Sequence, residues 1–536
     1  MLATLAAAAG LALAAAAPAR ASFDACTYDA PTRTVTATLE TSHDGTLRVG
    51  AGGEIESDST PCGAASTANT DAVEVSGSRQ SDTVTLDQNG PGGRFVKPGT
   101  SNEIHFGVYM NDETFCDPST GCSDVPQVLR VIGTPADDDI RVGRDYSQTL
   151  INLDGASDVD PDIRASGAQP DVWGGRGDDT LTGLGGSGAG AEPANVTLRG
   201  GPGDDTLVTA GDHDVIYPGA GQDDVFGSPG GGDMVSYEGA PGQVRADVSA
   251  GRVYADGFGD WDALDDHVRW LRGSNHDDTL VANYPALGEV WQRLEGAGGD
   301  DRIVGSPGHE ILFGGAGDDS IDAERPGDSY EEGDRIWGGP GDDVIRGGAG
   351  PDDLRGGFGD DLLKGGRGKV RSDRGAFPFN GGDSLRGGPG SDWLEGGQDP
   401  DWYVFDPVYG RDVDTIVERP DEGRDTLDFE YNELDYVGRP QIATDVDLSS
   451  RIRRLATSGP RIVRTADAGG ARYLENVLIG GFADDRIAGN GAANVIEPGG
   501  GADTIDCRGG RDTVDRETYS HWHDSLAHCE FVKLAY

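Results

Sequence analysis

Large apolar residues recur every nine positions along much of this chain, and glycine-rich polar stretches separate them. Between Gly338 and Lys364 they are Ile345, Leu354 and Leu363, and each follows an aspartate by two residues. One apolar side chain per nine residues predicts a coil of short strands, each pointing one side chain inward. Five runs keep this register, and its apolar residues are Leu207, Ile216, Val225; Ile303, Leu312, Ile321; Ile336, Ile345, Leu354, Leu363; Leu385, Leu394, Tyr403; Ile487, Ile496, Ile505, Val514.

The apolar register belongs to a repeated nonapeptide. Three consecutive copies fill 338–346, 347–355 and 356–364, and they share the pattern G-G-x-G-x-D-x-U-x, in which U is large and apolar. Glycine at these positions supplies turns with positive φ and lets backbone segments approach closely. A disordered acidic linker is the alternative, but a linker would not keep an apolar residue at one fixed position.

The acid at the sixth position follows the same register. It is Asp in most copies, but Glu310 and Asn494 replace it in two, which puts those two sites in doubt. Isolated copies occur at Asp82, Asp138, Asp179 and Asp278, and those at Asp82 and Asp138 are degenerate. The candidate metal ligands are Asp179, Asp205, Asp214, Asp223, Asp301, Asp319, Asp334, Asp343, Asp352, Asp361, Asp383, Asp392, Asp401, Asp485, Asp503 and Asp512.

Two insertions interrupt the longest run. Asp334 follows Asp319 by nine plus six residues, and Asp383 follows Asp361 by nine plus thirteen. Gly365 begins a repeat that Gly382 and Asp383 complete after the interruption. We therefore expect one continuous array of ten turns from Gly296 to Val404, with two bulged-out loops.

These repeats resemble the RTX, or haemolysin-type, calcium-binding nonapeptide family, whose pattern they share. The resemblance implies a parallel β-roll in which two nonapeptides form one coil, and an ion between each turn and the turn two repeats later. Calcium accepts carboxylate and carbonyl oxygens, whereas magnesium demands tighter geometry and zinc prefers His and Cys. The implied pairs are Asp205–Asp223, Asp301–Asp319, Asp334–Asp352, Asp343–Asp361, Asp383–Asp401 and Asp485–Asp503, with Asp319–Asp343, Asp352–Asp383 and Asp361–Asp392 across the insertions.

Composition agrees with a cation-dependent fold. The 536 residues include 87 Gly, and 43 basic against 94 acidic residues give a net charge of −51. This charge argues against nucleic-acid and anionic-membrane partners, and the glycine content argues against a mainly helical protein. Six to nine calcium ions would offset about +12 to +18. Without metal the acidic turns repel one another, so we expect binding energy to become folding energy.

The first residues predict export. Leu5 to Ala17 is an apolar run, and the A-x-A pattern that follows predicts cleavage after Ala21 and a secreted protein; a buried helix is the alternative. Six cysteines fit an oxidising compartment. Sequence leaves fifteen pairings open. Proximity alone favours Cys26–Cys62, Cys116–Cys122 and Cys507–Cys529.

The expected fold is all-β, with parallel β-roll or β-solenoid arrays behind a β-rich N-terminal section. Two stretches that start near Asp233 and Asp425 resemble each other and predict a duplicated spacer of alternating strands. The expected segments are a signal peptide (1–21), the N-terminal section (22–170), a first repeat block (171–232), a spacer (233–295), the main array (296–404), a second spacer (405–479), C-terminal repeats (480–515) and a cap (516–536).

Known catalytic motifs are missing. Relatives of this repeat carry zinc proteases or lipases, but His309-Glu310 lacks the second histidine of H-E-x-x-H, and no serine completes G-x-S-x-G. We therefore expect a non-catalytic structural, adhesive or surface-associated protein that binds calcium and an extracellular or cell-surface polymer, without membrane insertion. One alternative is an exported enzyme (a hydrolase or polysaccharide lyase) or toxin whose active domain lies in 22–170, and another is a parallel β-helix that acts on polysaccharide along one face. A zinc site at His521, His523, His528 and Cys529 is a further alternative.

Overall fold

The computed structural model confirms an all-β protein, as the repeat pattern predicts. The described residues contain no α-helix, and Val248–Ala250 forms a 3-10 turn. The structure describes residues 23, 25–39, 44–70, 72–76, 83–89, 95, 105–109, 115–117, 121–123, 128–145, 148–153, 161–185, 189, 195–211, 213–229, 232–282, 291–323, 333–367, 382–405, 412–419, 423–429, 444–448, 454–458, 461–465, 473–479, 483–516 and 524–534.

The chain forms two compact units, which divide after Thr197. The strands of the first unit are β1 (Ala25–Asp29), β2 (Thr34–Thr38), β3 (Gly45–Val49), β4 (Glu54–Ser57), β5 (Thr60–Ser66), β6 (Ala72–Ser76), β7 (Thr83–Asp87), β8 (His105–Tyr109), β9 (Phe115–Asp117), β10 (Gly121–Ser123), β11 (Val128–Ile132), β12 (Asp139–Asp145), β13 (Gln148–Asn152), β14 (Ile163–Ser166), β15 (Gln169–Trp173) and β16 (Thr180–Thr182). Thr197 itself begins the next strand.

The second unit contains the glycine repeats that follow residue 197, whereas the Asp179 repeat belongs to the first unit. Its strands are β17 (Thr197–Pro202), β18 (Thr206–Val208), β19 (Val215–Ala220), β20 (Asp224–Phe226), β21 (Met234–Ser236), β22 (Val244–Asp247), β23 (Arg252–Asp256), β24 (Asp262–Leu264), β25 (Trp270–Arg272), β26 (Thr279–Val281), β27 (Gln292–Gly298), β28 (Arg302–Val304), β29 (Glu310–Ala316), β30 (Ser320–Asp322), β31 (Arg335–Pro340), β32 (Val344–Ala349), β33 (Asp353–Phe358), β34 (Leu362–Arg367), β35 (Ser384–Arg386), β36 (Trp393–Gln398), β37 (Trp402–Val404), β38 (Asp412–Val417), β39 (Asp425–Phe429), β40 (Thr444–Asp447), β41 (Arg454–Ser458), β42 (Arg461–Thr465), β43 (Leu474–Ile479), β44 (Arg486–Ala488), β45 (Val495–Glu497), β46 (Thr504–Asp506), β47 (Thr513–Arg516), β48 (Ser525–Ala527) and β49 (Phe531–Leu534).

Successive repeats contribute strands to two different parallel sheets. Sheet A contains β28, β30, β32, β34 and β36 in that order, and sheet B contains β29, β31, β33, β35 and β37. Each strand therefore pairs with the strand two repeats further on, so two nonapeptides make one coil. Parallel pairing brings equivalent positions of the repeats next to each other along the coil axis.

The eighth-position residues form the core of this coil. Ile321 pairs with Ile345 and Ile345 with Leu363 in sheet A, whereas Ile336 pairs with Leu354 in sheet B. All seventeen apolar residues of the register are at most 2% exposed, which confirms the prediction that each points inward. Burial of one such side chain contributes about 1.5–3 kcal/mol, so the core is continuous but thin.

Both insertions leave the strand register unchanged. Ile321 still pairs with Ile345 although residues 324–332 intervene, and Leu354 still pairs with Leu385 across 368–381. The intervening residues lie outside the described part of the chain. Gly365 faces Asp383, because a Cβ on Gly365 would lie 2.0 Å from the Asp383 Oδ2. The repeat that Gly365 begins is therefore completed by Asp383, as the spacing predicts.

The same three-stranded antiparallel segment is inserted into the parallel sheet at three places among the described residues. In the first spacer, β22, β23 and β24 form a three-stranded antiparallel meander, with β24 parallel to β20 and β22 parallel to β26. In the second spacer, β40, β41 and β42 repeat this arrangement between β38 and β44. In the first unit, β12, β13 and β14 repeat it between β8 and β16, a third copy that sequence comparison did not detect.

Two of the three expected cysteine pairs are disulfides. Cys26 bonds to Cys62 in the first unit, and Cys507 bonds to Cys529 in the second. Cys116 and Cys122 lie opposite each other in the β9–β10 hairpin, but their side chains lie outside the described set. The predicted signal peptide and the degenerate copy at Asp82 also fall outside it.

Candidate functional site

The sixth-position acids form a ladder along the edge of the coil that precedes sheet A. The backbone N–H of Asp301 donates to Asp319 Oδ1 at 2.8 Å, Asp319 donates to Asp343 at 2.8 Å, and Asp343 donates to Asp361 at 2.8 Å. Asp361 continues the ladder to Asp392 at 3.0 Å. Each carboxylate thus binds the backbone of the preceding coil through one oxygen, because parallel pairing stacks the turns.

A second ladder runs along the opposite edge, before sheet B. Asp334 donates its N–H to Asp352 Oδ1 at 2.7 Å, Asp352 to Asp383 at 2.9 Å, and Asp383 to Asp401 at 2.8 Å. The same N–H to Oδ1 hydrogen bond joins Asp205 to Asp223 at 2.8 Å and Asp485 to Asp503 at 2.9 Å. The nine pairs named from the sequence are therefore neighbours in consecutive coils.

The other carboxylate oxygen points into a buried cradle. A Cβ on Gly314 would lie 2.2 Å from Asp319 Oδ2 and 2.7 Å from the carbonyl oxygen of Gly338, so these two oxygens converge where the first glycine of the repeat leaves space. Gly356 stands in the same relation to Asp361 Oδ2. This second oxygen is buried and accepts no hydrogen bond in Asp223, Asp301, Asp319, Asp343, Asp361, Asp383, Asp485 and Asp512.

Unneutralised carboxylates are costly in this environment. Burial raises the pKa of Asp301, Asp361 and Asp223 to about 8, and neighbouring ladder aspartates raise the pKa further against the hydrogen bond that lowers it. The same causes raise the pKa of Asp319 to about 7 and of Asp343 to about 6. Burial and flanking acids also hold the pKa of Asp334 and Asp383 well above the ordinary aspartate value. The ladder therefore requires protons or a cation.

The donor set fits calcium. Carboxylate and main-chain carbonyl oxygens converge at each cradle, and calcium accepts six to eight such ligands in flexible geometry. A buried acceptor without a donor costs about 1–3 kcal/mol, more when charged, so a bound cation satisfies both the geometry and the charge. Calcium would supply the positive charge there, and the sixth-position aspartates and first-glycine carbonyls would hold it.

A family comparison gives the same assignment. Residues 171–188, 197–230, 292–325, 332–369, 379–404 and 475–514 match the model of the RTX calcium-binding nonapeptide repeat. The chain carries RTX calcium-binding repeats. These RTX segments include the sixteen candidate aspartates, and no curated relative matches the chain.

All sixteen candidate residues occupy equivalent places. Each RTX aspartate of this set directly precedes a strand, and each is at most 4% exposed. Their role as calcium ligands stays a prediction. Glu310 and Asn494, the doubtful members, also join the ladders, since their N–H groups donate to Asp334 and Asp512 at 2.8 Å.

The structure adds residues that the sequence reasoning missed. Asp233, Asp262, Asp414 and Asp425 accept the ladder hydrogen bond within the spacers, although the last three have no glycine nonapeptide around them. Asp233 directly precedes β21, Asp262 and Asp425 begin β24 and β39, and Asp414 is the third residue of β38, so their shared signal is an aspartate close to the start of a strand. The ladders therefore extend beyond the RTX matches into the spacers.

The fifth-position acids form a separate, exposed ladder that runs in the opposite direction. Asp360 donates its N–H to Asp342 Oδ1 at 2.7 Å, Asp342 donates to Asp318 at 2.8 Å, and Asp318 donates to Asp300 at 2.9 Å. The two consecutive acids of the repeat thus have different roles. The N–H of the fifth residue donates to the preceding coil at the surface, and the N–H of the sixth donates to the following coil in the interior.

Two other clusters have local explanations. Asp265, Asp266 and His267 lie close enough to share a cation, but His267 Nδ1 contacts Asp265 Oδ2 at 2.7 Å and Asp265 Oδ1 accepts two backbone N–H groups. At the C-terminus, the disulfide occupies Cys529, which removes it from the zinc alternative, and His521 and His523 lie outside the described residues. The described part of the chain contains no helix with the length and apolar character to span a bilayer.

Proposed function

We propose that this chain is a secreted RTX protein whose arrays fold on binding calcium, and that it acts as a structural or adhesive element at an extracellular surface without catalysis. The observation that carries the proposal is the row of buried aspartate oxygens without donors, five of which also lie next to a carbonyl oxygen in a glycine cradle, in Asp301, Asp319, Asp343, Asp361 and Asp383. Such a row costs stability when it is charged and empty of cations, and contributes stability when calcium neutralises it.

Secretion is supported by the disulfides and by the affinity expected of such sites. Disulfides form and persist in oxidising compartments. Extracellular calcium modules bind at about 10⁻⁴–10⁻³ M, so the sites fill outside the cell and empty inside it. An unfolded chain before export and a folded chain after it are the expected consequence.

An adhesive role is supported by the outer face of sheet B. Arg293 lies over the rings of Trp270 and Phe313 at 4.2 and 4.7 Å, Phe313 stacks on Trp337 with ring centroids 4.7 Å apart, and Arg355 lies over Trp337 at 5.4 Å. These residues are half-buried and run across successive coils. A regular row of rings and guanidinium groups suits contact with an extended, repeating polymer.

Calorimetric titration of the metal-free chain tests the calcium function. Calcium should bind at several sites and magnesium far more weakly, because the cradles are irregular and built from oxygen. The triple variant Asp319→Asn, Asp343→Asn, Asp361→Asn should lose about three ions, one for each carboxylate removed. Equal binding of calcium by the triple variant and the parent would contradict the proposal.

A further inference from the structure

Five turns among the described residues depart from the double glycine of the repeat in the same way. The residue after the first glycine is polar and carries a Cβ in each of them. These residues are Thr134, Ser228, Ser274, Ser306 and Asn490, which follow Gly133, Gly227, Gly273, Gly305 and Gly489. In the other described turns of the main array this place is held by glycine or, once, by Ala297.

The polar residue donates a hydrogen bond to the ladder side chain of its own turn, which is Asn494 in one turn and an acid in the other four. Backbone N–H groups donate from Thr134 to Asp138 Oδ2 at 2.6 Å, from Ser228 to Asp233 Oδ2 at 2.8 Å, and from Ser274 to Asp278 Oδ2 at 2.5 Å. The Ser306 hydroxyl donates to Glu310 Oε1, and the Asn490 N–H donates to Asn494 Oδ1 at 3.0 Å. The oxygen that is bare in the glycine turns therefore has a protein donor here.

Asp278 and Asp301 show the difference on adjacent rungs of one ladder. Both cradles have the same carbonyl and carboxylate oxygens, since a Cβ on Gly273 or Gly296 would lie 2.2 or 2.0 Å from its own aspartate Oδ2. Asp278 accepts from the Ser274 N–H, from the Ser274 hydroxyl at 3.0 Å and from Val244 N–H at 2.6 Å. Asp301 accepts only the Asp278 N–H at 2.7 Å, and its Oδ2 has no donor.

Backbone conformation explains why the second residue of the turn decides whether the ladder oxygen receives a hydrogen bond. In the glycine turns the second glycine has φ near the value of +123° found at Gly315, and the N–H of Gly357 donates to the next coil, at the carbonyl of Gly387. Ala297 is held at φ +85° in the Asp301 turn, whereas none of the five polar residues has a positive φ. Residues with a Cβ avoid positive φ, so the peptide turns over and directs its N–H at the acid.

We propose that these five turns take no calcium and that calcium occupies only turns whose second residue has positive φ, an inference that rests on the proposed calcium function. A backbone N–H in four of these turns, and the Ser306 hydroxyl in the fifth, stands where a cation would bind, so the side-chain oxygen already has a donor. The second residue of the repeat is then the determinant of occupancy. The chain consequently contains rungs that hold together without calcium, next to rungs that require it.

Matched variants of the two neighbouring rungs test the proposal by ion counting. Calorimetry at saturating calcium should give the parental number of ions for Asp278→Asn and one ion fewer for Asp301→Asn. Asp138→Asn, in the Thr134 turn, should also keep the parental number and serves if Asp278→Asn fails to fold. Loss of one ion in Asp278→Asn or Asp138→Asn would overturn the inference, whereas a parent chain that binds no calcium would refute the proposed function itself.

A variant designed to gain one calcium site tests the same determinant. The double variant Ser306→Gly, Glu310→Asp gives residues 305–310 the same identity as residues 338–343 at five of six positions. It should bind one ion more than the parent, and an unchanged count would contradict the inference.

Discussion

The backbone N–H of Asp343 donates to Oδ1 of Asp361, one coil further along, at 2.8 Å, and Asp361 Oδ2 is left buried without a donor. One oxygen thus fixes the stacking of the coils, and the other creates a need for positive charge. The structural bond and the calcium requirement reside in the same side chain. Any change at Asp361 should therefore affect ion binding and coil stability together.

The metal-free protein should become less stable as the pH rises. The folded pKa values of Asp343, Asp319 and Asp361 are raised from 3.8 to about 6, 7 and 8. Stability from such groups is fully present below their unfolded pKa and is lost as the pH rises through the folded values. In chelator, the β signal in circular dichroism should therefore fall as the pH rises from about 5 to about 8.

Calcium should reverse that dependence, because it binds the ionised carboxylates and competes with protons. With saturating calcium, the urea midpoint should be higher at about pH 8 than at about pH 5. Circular dichroism at both pH values, with calcium and with chelator, measures these opposite pH dependences. A metal-free chain that is more stable at the higher pH would show that the ladder carboxylates are not the groups in control.

Removal of the Asp361 charge should reduce the stability of the calcium-loaded protein far more than removal of the Asp360 charge. At a free calcium concentration of about 100 times the Kd, loss of one ion from Asp361→Asn removes about 2.7 kcal/mol of stability. Asp360→Asn is the matched control, because the exposed Asp360 uses one oxygen to accept the Ser391 N–H at 2.8 Å, and an amide oxygen can replace it. Urea unfolding in calcium should separate the two variants, and equal losses would argue against the interior site.

Filling the cradle should block it without changing any charge. In Gly356→Ala, the new Cβ would lie 2.1 Å from Asp361 Oδ2 and 2.6 Å from the Gly387 carbonyl oxygen, at a position whose φ suits alanine. We expect one ion fewer and a loss of about 1–3 kcal/mol. Gly491→Ala has no heavy atom within 4 Å of the new Cβ and should change neither quantity appreciably. A Gly356→Ala protein with the parental ion count would place the ions elsewhere.

Ala297→Gly should stabilise the calcium-loaded protein. Ala297 has φ +85° at a position that glycine holds one coil further on, where Gly315 has φ +123°. Relief of about 1–2 kcal/mol of strain outweighs the entropy cost of glycine, about 0.5–1 kcal/mol, so a net gain of up to about 1.5 kcal/mol is expected. Thermal unfolding in calcium checks this, and a lower melting temperature for the variant would contradict the strain argument.

The periodic parts of the chain are predictable because each repeat contains the same information. The buried position of Ile345, the pairing of Asp343 with Asp361 and the completion of the Gly365 repeat by Asp383 all follow from counting nines and eighteens. The two disulfides that the structure describes also agree with proximity along the sequence. Parallel stacking turns a one-dimensional period directly into neighbours in space.

Other features depend on backbone conformation or on pairings without a period. Asp262 reaches the ladder only because β23 and β24 return the chain to Asp223, and no spacing in the sequence announces that meander. Similarly, the serine of the Ser274 turn reads as a conservative departure from glycine. Its effect follows from φ, which decides whether the N–H faces Asp278 or the next coil.

Circular dichroism of the metal-free chain at neutral pH, followed by addition of calcium, tests the central claim most directly. If the buried ladders are calcium sites and their occupation folds the arrays, the β signal should be weak in chelator and rise to a plateau with calcium. Magnesium at the same concentration should leave it largely unchanged. A full β signal in chelator at neutral pH, unaltered by calcium, would contradict the account.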